Sequence, residues 1–180
     1  MEYYNYSKFI LKSGLFNLYG NLTSLDNYIS TFNGGKKYNY MFENTNVYDC
    51  SKLNTGIKTY TSSNVFEYMF SNCKYLVKVP ELPVTTLADY CYYGMFNGCT
   101  LLTTIPSNLL PATTLADSCY QSMFEGCSSL TTIPDNLLPA TTLANSCYSN
   151  MFSGCTSLTT IPSNLLPVTT LAESCYSSMF

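Results

Sequence analysis

Nine cysteines and the absence of histidine define the chemistry available to this chain of 180 residues. Seven of the cysteines recur at repeat spacing in two series, Cys91, Cys119, Cys147 and Cys175, and Cys99, Cys127 and Cys155. Zinc sites usually combine close Cys-x2-4-Cys pairs with histidines, and the sequence has neither. Without histidine, a Ser or Cys nucleophile lacks its usual general base. The residues therefore predict no catalytic, metal or cofactor site.

Disulfides are also disfavoured by the cysteine spacing. Two cysteines of one repeat lie eight residues apart, which is about 12 Å along a helix at 1.5 Å per residue. That separation exceeds the roughly 7 Å Cα limit for a disulfide. Packed helices of neighbouring repeats lie about 8 to 10 Å apart. We therefore expect free thiols that act as small apolar residues of the interior.

Charge excludes further functional classes. Charged residues make up 11% of the chain, the net charge is -3, and only eight Lys and Arg are present. Such a chain offers no basic stripe for phosphate backbones, so nucleic acid is not an expected partner. No apolar run approaches the roughly 20 residues of a membrane-spanning helix, so membrane insertion is not expected. Gly34 to Lys37 is interpreted as a turn, not as a phosphate-binding loop.

Six Met-Phe dipeptides divide the chain into repeats. They begin at residues 41, 69, 95, 123, 151 and 179, with offsets of 28, 26, 28, 28 and 28 residues. A fixed period in this range is typical of units that bury their apolar faces by stacking on one another. Residues 1–36 contain no repeat and are interpreted as an irregular N-terminal cap or anchoring segment. Residues 37–84 are degenerate repeats, and residues 85–180 are regular 28-residue repeats that we expect to continue after residue 180.

The best-preserved repeat predicts one short helix. At about 100° per residue, the recurring residues from Leu115 to Cys127 fill one half of a helical wheel. The expected helix is 115–125, with Thr114 and Asp117 forming a capping box and Gly126 ending it. Asp89 and Glu173 recur at the Asp117 position and are explained in the same way. The other half of the wheel should face water; it contains Asp117, Ser118, Gln121, Ser122 and Glu125.

A short strand is predicted after the helix. Residues 127–134 are rich in β-branched residues and end at a proline, with Leu130 and Ile133 pointing inward. Residues 136–139 follow Pro134 and end at Pro139, and two prolines five residues apart predict an extended return. The expected fold class is an α/β repeat solenoid, with short parallel strands on one face and short helices on the other.

At these residues the chain resembles the BspA-like leucine-rich repeats of bacteria, phages and protists. The similarity is carried by residues 123–130, Met-Phe-Glu-Gly-Cys-Ser-Ser-Leu, and by their copies between about residues 65 and 180. The resemblance implies a leucine-rich-repeat-like solenoid that is displayed on a surface for recognition. It implies no catalytic residues.

A candidate ligand or partner face consists of paired threonines on the predicted strands. Their alternative role is simply to pair with their copies in the next repeat, because threonine favours strands. The residues are Thr103, Thr104, Thr131, Thr132, Thr159 and Thr160.

From these features we expect a non-enzymatic surface protein, a phage virion structural or attachment component such as a fibre or decoration protein. Residues 1–36 would bind a larger assembly, and the repeats would bind a host surface protein or glycan. The expected location is the virion surface, and the chain could form homo-oligomers. The alternatives are a bacterial or protist cell-surface adhesin, which is extracellular, and an intracellular protein-binding scaffold.

Overall fold

The computed structural model describes residues 16–21, 38–54 and 63–180. Its two strands are β1 (Phe16–Asn21) and β2 (Val47–Asn54), which pair in parallel. The register begins at Phe16 opposite Val47 and contains two shifts before Tyr19. β1 belongs to the segment 1–36. The rest of that segment, with the turn predicted from Gly34 to Lys37, lies outside the described residues.

The predicted α/β repeat solenoid is wrong. The described residues contain no helix, and their only sheet is the β1–β2 pair. Where the helix 115–125 was predicted, a run of overlapping turns begins at residue 117. The predicted strand 127–134 is also absent. What the repeats do form is a stack of coils, which we number 1 to 6 by their Met-Phe pairs.

A turn segment, residues 117–127 in coil 4, replaces the predicted helix. Every second N–H closes a turn within the coil, as from Cys119 to the carbonyl of Ala116 at 3.3 Å and from Met123 to that of Tyr120 at 3.3 Å. These bonds connect residues three apart, whereas an α-helix connects residues four apart. The segment is therefore a chain of β-turns.

The intervening N–H groups join neighbouring coils. The N–H groups of Tyr120, Ser122 and Phe124 donate to coil 5 carbonyls at 3.1, 2.8 and 3.0 Å. In coils 1 to 5 the phenylalanine N–H donates to the methionine carbonyl of the next Met-Phe pair, at 2.8 to 3.0 Å. Buried backbone N–H and C=O groups must be hydrogen-bonded. Half of the N–H groups of a turn segment therefore find their acceptors only when another coil lies beside it.

The turn segment requires a left-handed residue at every fourth position. In coil 4 these are Ser118, Ser122 and Gly126, with φ of 53°, 56° and 71°. A positive φ at the third residue is the signature of a type II turn. For residues with a Cβ this conformation costs about 1–2 kcal/mol each. The bonds between coils must offset that strain.

Columns of aromatic side chains fill the interior. Phenylalanine rings of successive coils stack at centroid distances of 5.4 to 5.9 Å, from Phe42 through to Phe180. A second column begins at Tyr38, continues through Phe66 and Tyr92, and reaches Tyr176 at 5.3 to 5.9 Å. Such nearly parallel rings have the offset-stacked arrangement that aromatic side chains favour. The stacked rings therefore fix the position of each coil relative to the next.

After the turn segment, each coil is completed by a path without regular secondary structure. In coil 4, Leu130 and Ile133 point into the core, as expected, and Leu137 and Leu138 are buried behind them. A turn from Pro134 to Leu137, with an N–H to carbonyl distance of 3.3 Å, redirects the chain. The path then returns to the next turn segment.

Candidate recognition surface

The six predicted site threonines lie on one exposed part of coils 3 to 5. All six are exposed, and we call them the threonine face: Thr103, Thr104, Thr131, Thr132, Thr159 and Thr160. The Thr131 N–H donates to the Thr103 carbonyl at 3.3 Å, and the Thr131 hydroxyl donates to the same oxygen at 3.4 Å. The structure therefore joins Thr131 of coil 4 directly to Thr103 of coil 3, although neither residue lies on a sheet.

Coils 1 and 2 have different residues at the corresponding place. Asp49 of β2 forms a bridge with Lys78, and their side chains make an ion pair at 3.4 Å. Burial alone would raise the pKa of Asp49, but hydrogen bonds from Ser51 and Lys78 hold it below its ordinary value. The uncharged threonine face therefore meets a charged pair at its N-terminal side.

A second set of exposed threonines, just before the turn segments, was not predicted as a surface from the sequence. Thr86, Thr114 and Thr142 form bridges from coil to coil, and the Thr141 N–H donates to the Thr113 carbonyl at 2.8 Å. The prediction that Thr114 caps a helix is wrong because no helix begins there. The signal of this second set was the same recurring Thr-Thr dipeptide. The exposed residues of this set are Thr85, Thr86, Thr113, Thr114, Thr141, Thr142, Thr169 and Thr170.

The recurrent acidic residues accept backbone hydrogen bonds from the next coil. An oxygen of the Asp89 side chain accepts the Asp117 N–H at 3.1 Å, and Asp117 in turn accepts the Asn145 N–H at 2.9 Å. Asn145 continues the series by accepting the Glu173 N–H at 3.3 Å. The predicted capping box within one coil is therefore wrong. These side chains connect one coil to the next.

The thiols are buried in the interior of the stack. All nine cysteines are free and buried, and in one column each S–H donates to a phenylalanine carbonyl of another coil. For Cys127 and the Phe96 carbonyl the distance is 3.2 Å. Burial raises the pKa of Cys147 and Cys155 to about 11. Because the thiolate is the reactive form, these side chains should be inert at neutral pH while the protein is folded.

Ser118 and Ser122 are not at the surface. The helical wheel placed both in water, but they are only 5% and 3% exposed. They occupy left-handed positions of the turn segment and donate their N–H groups to the next coil. Asp117 is exposed as predicted, and Gln121 and Glu125 are half-buried.

A concavity of about 330 Å³ lies over Thr159 and Thr160 and is bordered by Phe152, Ile161 and Phe180. In coils 3 and 4 the corresponding apolar residues are covered, since Ile105 and Ile133 are 5% exposed whereas Ile161 is 51% exposed. The concavity is thus formed by the end of the described stack. It does not have the converging polar groups of a built ligand pocket.

Within the described ranges no group of three or more potential metal-ligating acidic or cysteine side chains comes together. The same part of the chain contains no helix long and apolar enough to cross a membrane. Comparisons with protein-family models, curated proteins and solved structures find no significant match.

Proposed function

We propose that this protein is a non-enzymatic attachment component displayed on the surface of a larger assembly, a phage particle, where the threonine face contacts the host. The observation that carries the proposal is a set of exposed, uncharged threonines that recurs in coils 3, 4 and 5, with Thr131 bonded to Thr103 of the preceding coil. A repeated set of hydroxyls can donate and accept many hydrogen bonds at once. The resemblance to BspA-like surface repeats supports the same role.

Many weak contacts in a regular array suit attachment. A single threonine contributes little, but repeated contacts to a multivalent target add up to useful avidity. The target would be a glycan or a surface protein of the host. Residues 1–36 would bind the assembly from which the coils project.

Binding through the threonine face should be disrupted by charge at its centre. Replacing Thr132 and Thr160 by lysine introduces two long cationic side chains on coils 4 and 5. We expect at least a tenfold loss of binding to intact host cells or to a glycan array, equivalent to about 1.4 kcal/mol. Binding by the unmodified protein should change little between low and physiological salt, since few charges take part.

The matched control uses the second threonine set. Replacing Thr114 and Thr142 by lysine adds the same charge to the same two coils, at positions that are also exposed. We expect this variant to bind like the unmodified protein. If it loses binding while the Thr132 and Thr160 variant retains it, the contact surface is the second set and the present assignment is wrong.

A further inference from the structure

Three tyrosines form an aromatic cluster on the outer side of the turn segments of coils 2 and 3. The Tyr68 and Tyr93 rings meet edge to face at a centroid distance of 5.0 Å. Tyr90 and Tyr93 make a second edge contact at 6.0 Å. Tyr90 is 41% exposed, and Tyr68 and Tyr93 are half-buried. Tyr40 of coil 1 stacks on the Tyr68 ring at 5.2 Å, so the part of the cluster most open to solvent is Tyr90, with Tyr68 and Tyr93 partly exposed beside it.

The stack itself does not require aromatic residues at these positions. One repeat later, Tyr90 and Tyr93 are replaced by Ser118 and Gln121. The later coils retain the same turn segment and the same bonds between coils. The tyrosines are therefore an addition to the surface of coils 2 and 3.

Gly94 makes room for the cluster. A Cβ at this position would overlap the ring of Tyr68. The positive φ of Gly94 alone does not demand glycine, because Ser122 and Asn150 adopt φ of 56° and 55° at the same place in coils 4 and 5. Glycine is needed in coil 3 because the Tyr68 ring lies against its backbone.

Carboxylates accompany the rings, and cations are absent from the same segments. Glu67 directly precedes Tyr68, and Asp89 directly precedes Tyr90. The turn segments 63–73, 89–99 and 117–127 contain no lysine or arginine. Burial and a hydrogen bond with Tyr93 raise the pKa of Tyr68, so its hydroxyl remains neutral. The surface therefore combines electron-rich ring faces with negative charge.

We propose that Tyr68, Tyr90 and Tyr93 form a docking surface for a cationic side chain, arginine or lysine, of a partner protein. Ring faces attract guanidinium and ammonium groups, and guanidinium also stacks on them. Carboxylates beside the rings add long-range attraction for the same groups. An anionic partner would be repelled by Glu67 and Asp89. This surface is separate from the threonine face, and its role does not depend on that of the threonines.

The test uses the full chain and a short peptide with three arginines separated by glycine and serine. The same peptide with glutamine in place of arginine is the ligand control. The protein variant combines Tyr90→Ser and Tyr93→Gln, which installs the residues that coil 4 already tolerates. A Tyr48→Thr variant removes another exposed tyrosine, on β2, and serves as the protein control.

We expect the arginine peptide to bind the unmodified protein, with about tenfold weaker binding of the glutamine peptide and of the double variant. The Tyr48→Thr protein should bind like the unmodified one. Equal binding of both peptides, or undiminished arginine binding by the double variant, overturns the proposal. A neutral hexasaccharide that binds the unmodified protein and not the double variant would also overturn it, because the cluster would then recognise sugar.

Discussion

Coils 1 and 2 and coils 4 and 5 share the phenylalanine column of their interior and have different exteriors. In both regions the phenylalanine column continues without interruption, from Phe42 and Phe70 to Phe124 and Phe152. On the outside, the first region has tyrosines and an ion pair, whereas the second has serine, threonine and asparagine. The comparison shows that the stack depends on its inner columns and leaves the outer positions open to other functions.

Charge is also distributed unevenly along the chain. Residues 1–78 contain all eight lysines and five acidic residues, a net charge of +3, while residues 79–180 contain six acidic residues and no base, a net charge of -6. The two values sum to the net charge of -3 for the whole chain. Such asymmetry favours different partners for the two parts of the molecule.

The largest expected effect comes from breaking the shared interior. Replacing Phe124 by alanine removes a fully buried ring from the middle of its column. The free energy of unfolding should fall by about 3–5 kcal/mol. Phe70→Ala should cost a similar amount, because Phe70 is also fully buried between two rings. Urea denaturation measures both, and a cost below about 1 kcal/mol for either variant would show that the regions do not share one kind of core.

A smaller effect should distinguish the cysteine series that contains Cys119 from the column of cysteines that donate to phenylalanine carbonyls. Cys119 is fully buried, and among the described residues its sulfur donates to no carbonyl. Cys119→Ser therefore places a hydroxyl without a carbonyl acceptor in the interior, and the free energy of unfolding should fall by about 1–3 kcal/mol. Cys73 and Cys127 already donate to a phenylalanine carbonyl at 3.0 and 3.2 Å, so a serine there retains an acceptor. Thermal unfolding of the three variants should rank Cys119→Ser as the least stable. The opposite ranking would contradict the role given to these bonds.

The smallest effect should be confined to the aromatic exterior. Gly94→Ser forces the half-buried Tyr68 ring to move, and we expect a loss of about 1 kcal/mol, the lower end for overpacking. In a Tyr68→Ser background the same change should cost less, because the obstructing ring is gone. A double-mutant cycle measures the difference. Additive effects would mean that Gly94 is required by its backbone and not by Tyr68.

The error in the fold prediction has a definite physical origin. Buried residues recur in coil 4 at Cys119 and Tyr120, at Met123 and Phe124, and at Cys127, which is a period of four. Four residues of a helix turn through about 400°, so the buried stripe drifts by only about 40° per turn. Over three turns that drift stays within half of the helical wheel. A turn segment and an amphipathic helix therefore predict nearly the same buried set.

The distance between neighbouring coils decides between a turn segment and a helix. Packed helices lie about 8 to 10 Å apart, whereas rings of successive coils stack at 5.4 to 5.9 Å. Coils at that distance can exchange backbone hydrogen bonds. A helix has already used these N–H and C=O groups internally, so it cannot form such bonds.

The sequence by itself determined the repeat period, the residues that fill the interior and the exposure of the threonine face. These follow from side-chain chemistry, because apolar residues recur wherever each repeat faces the core. Tertiary structure alone decided the backbone conformation, the burial of Ser118 and Ser122, and the contact between Tyr68 and Gly94. Each of these depends on hydrogen bonds or side-chain contacts with residues about one repeat away, and no pattern within a single repeat contains that information.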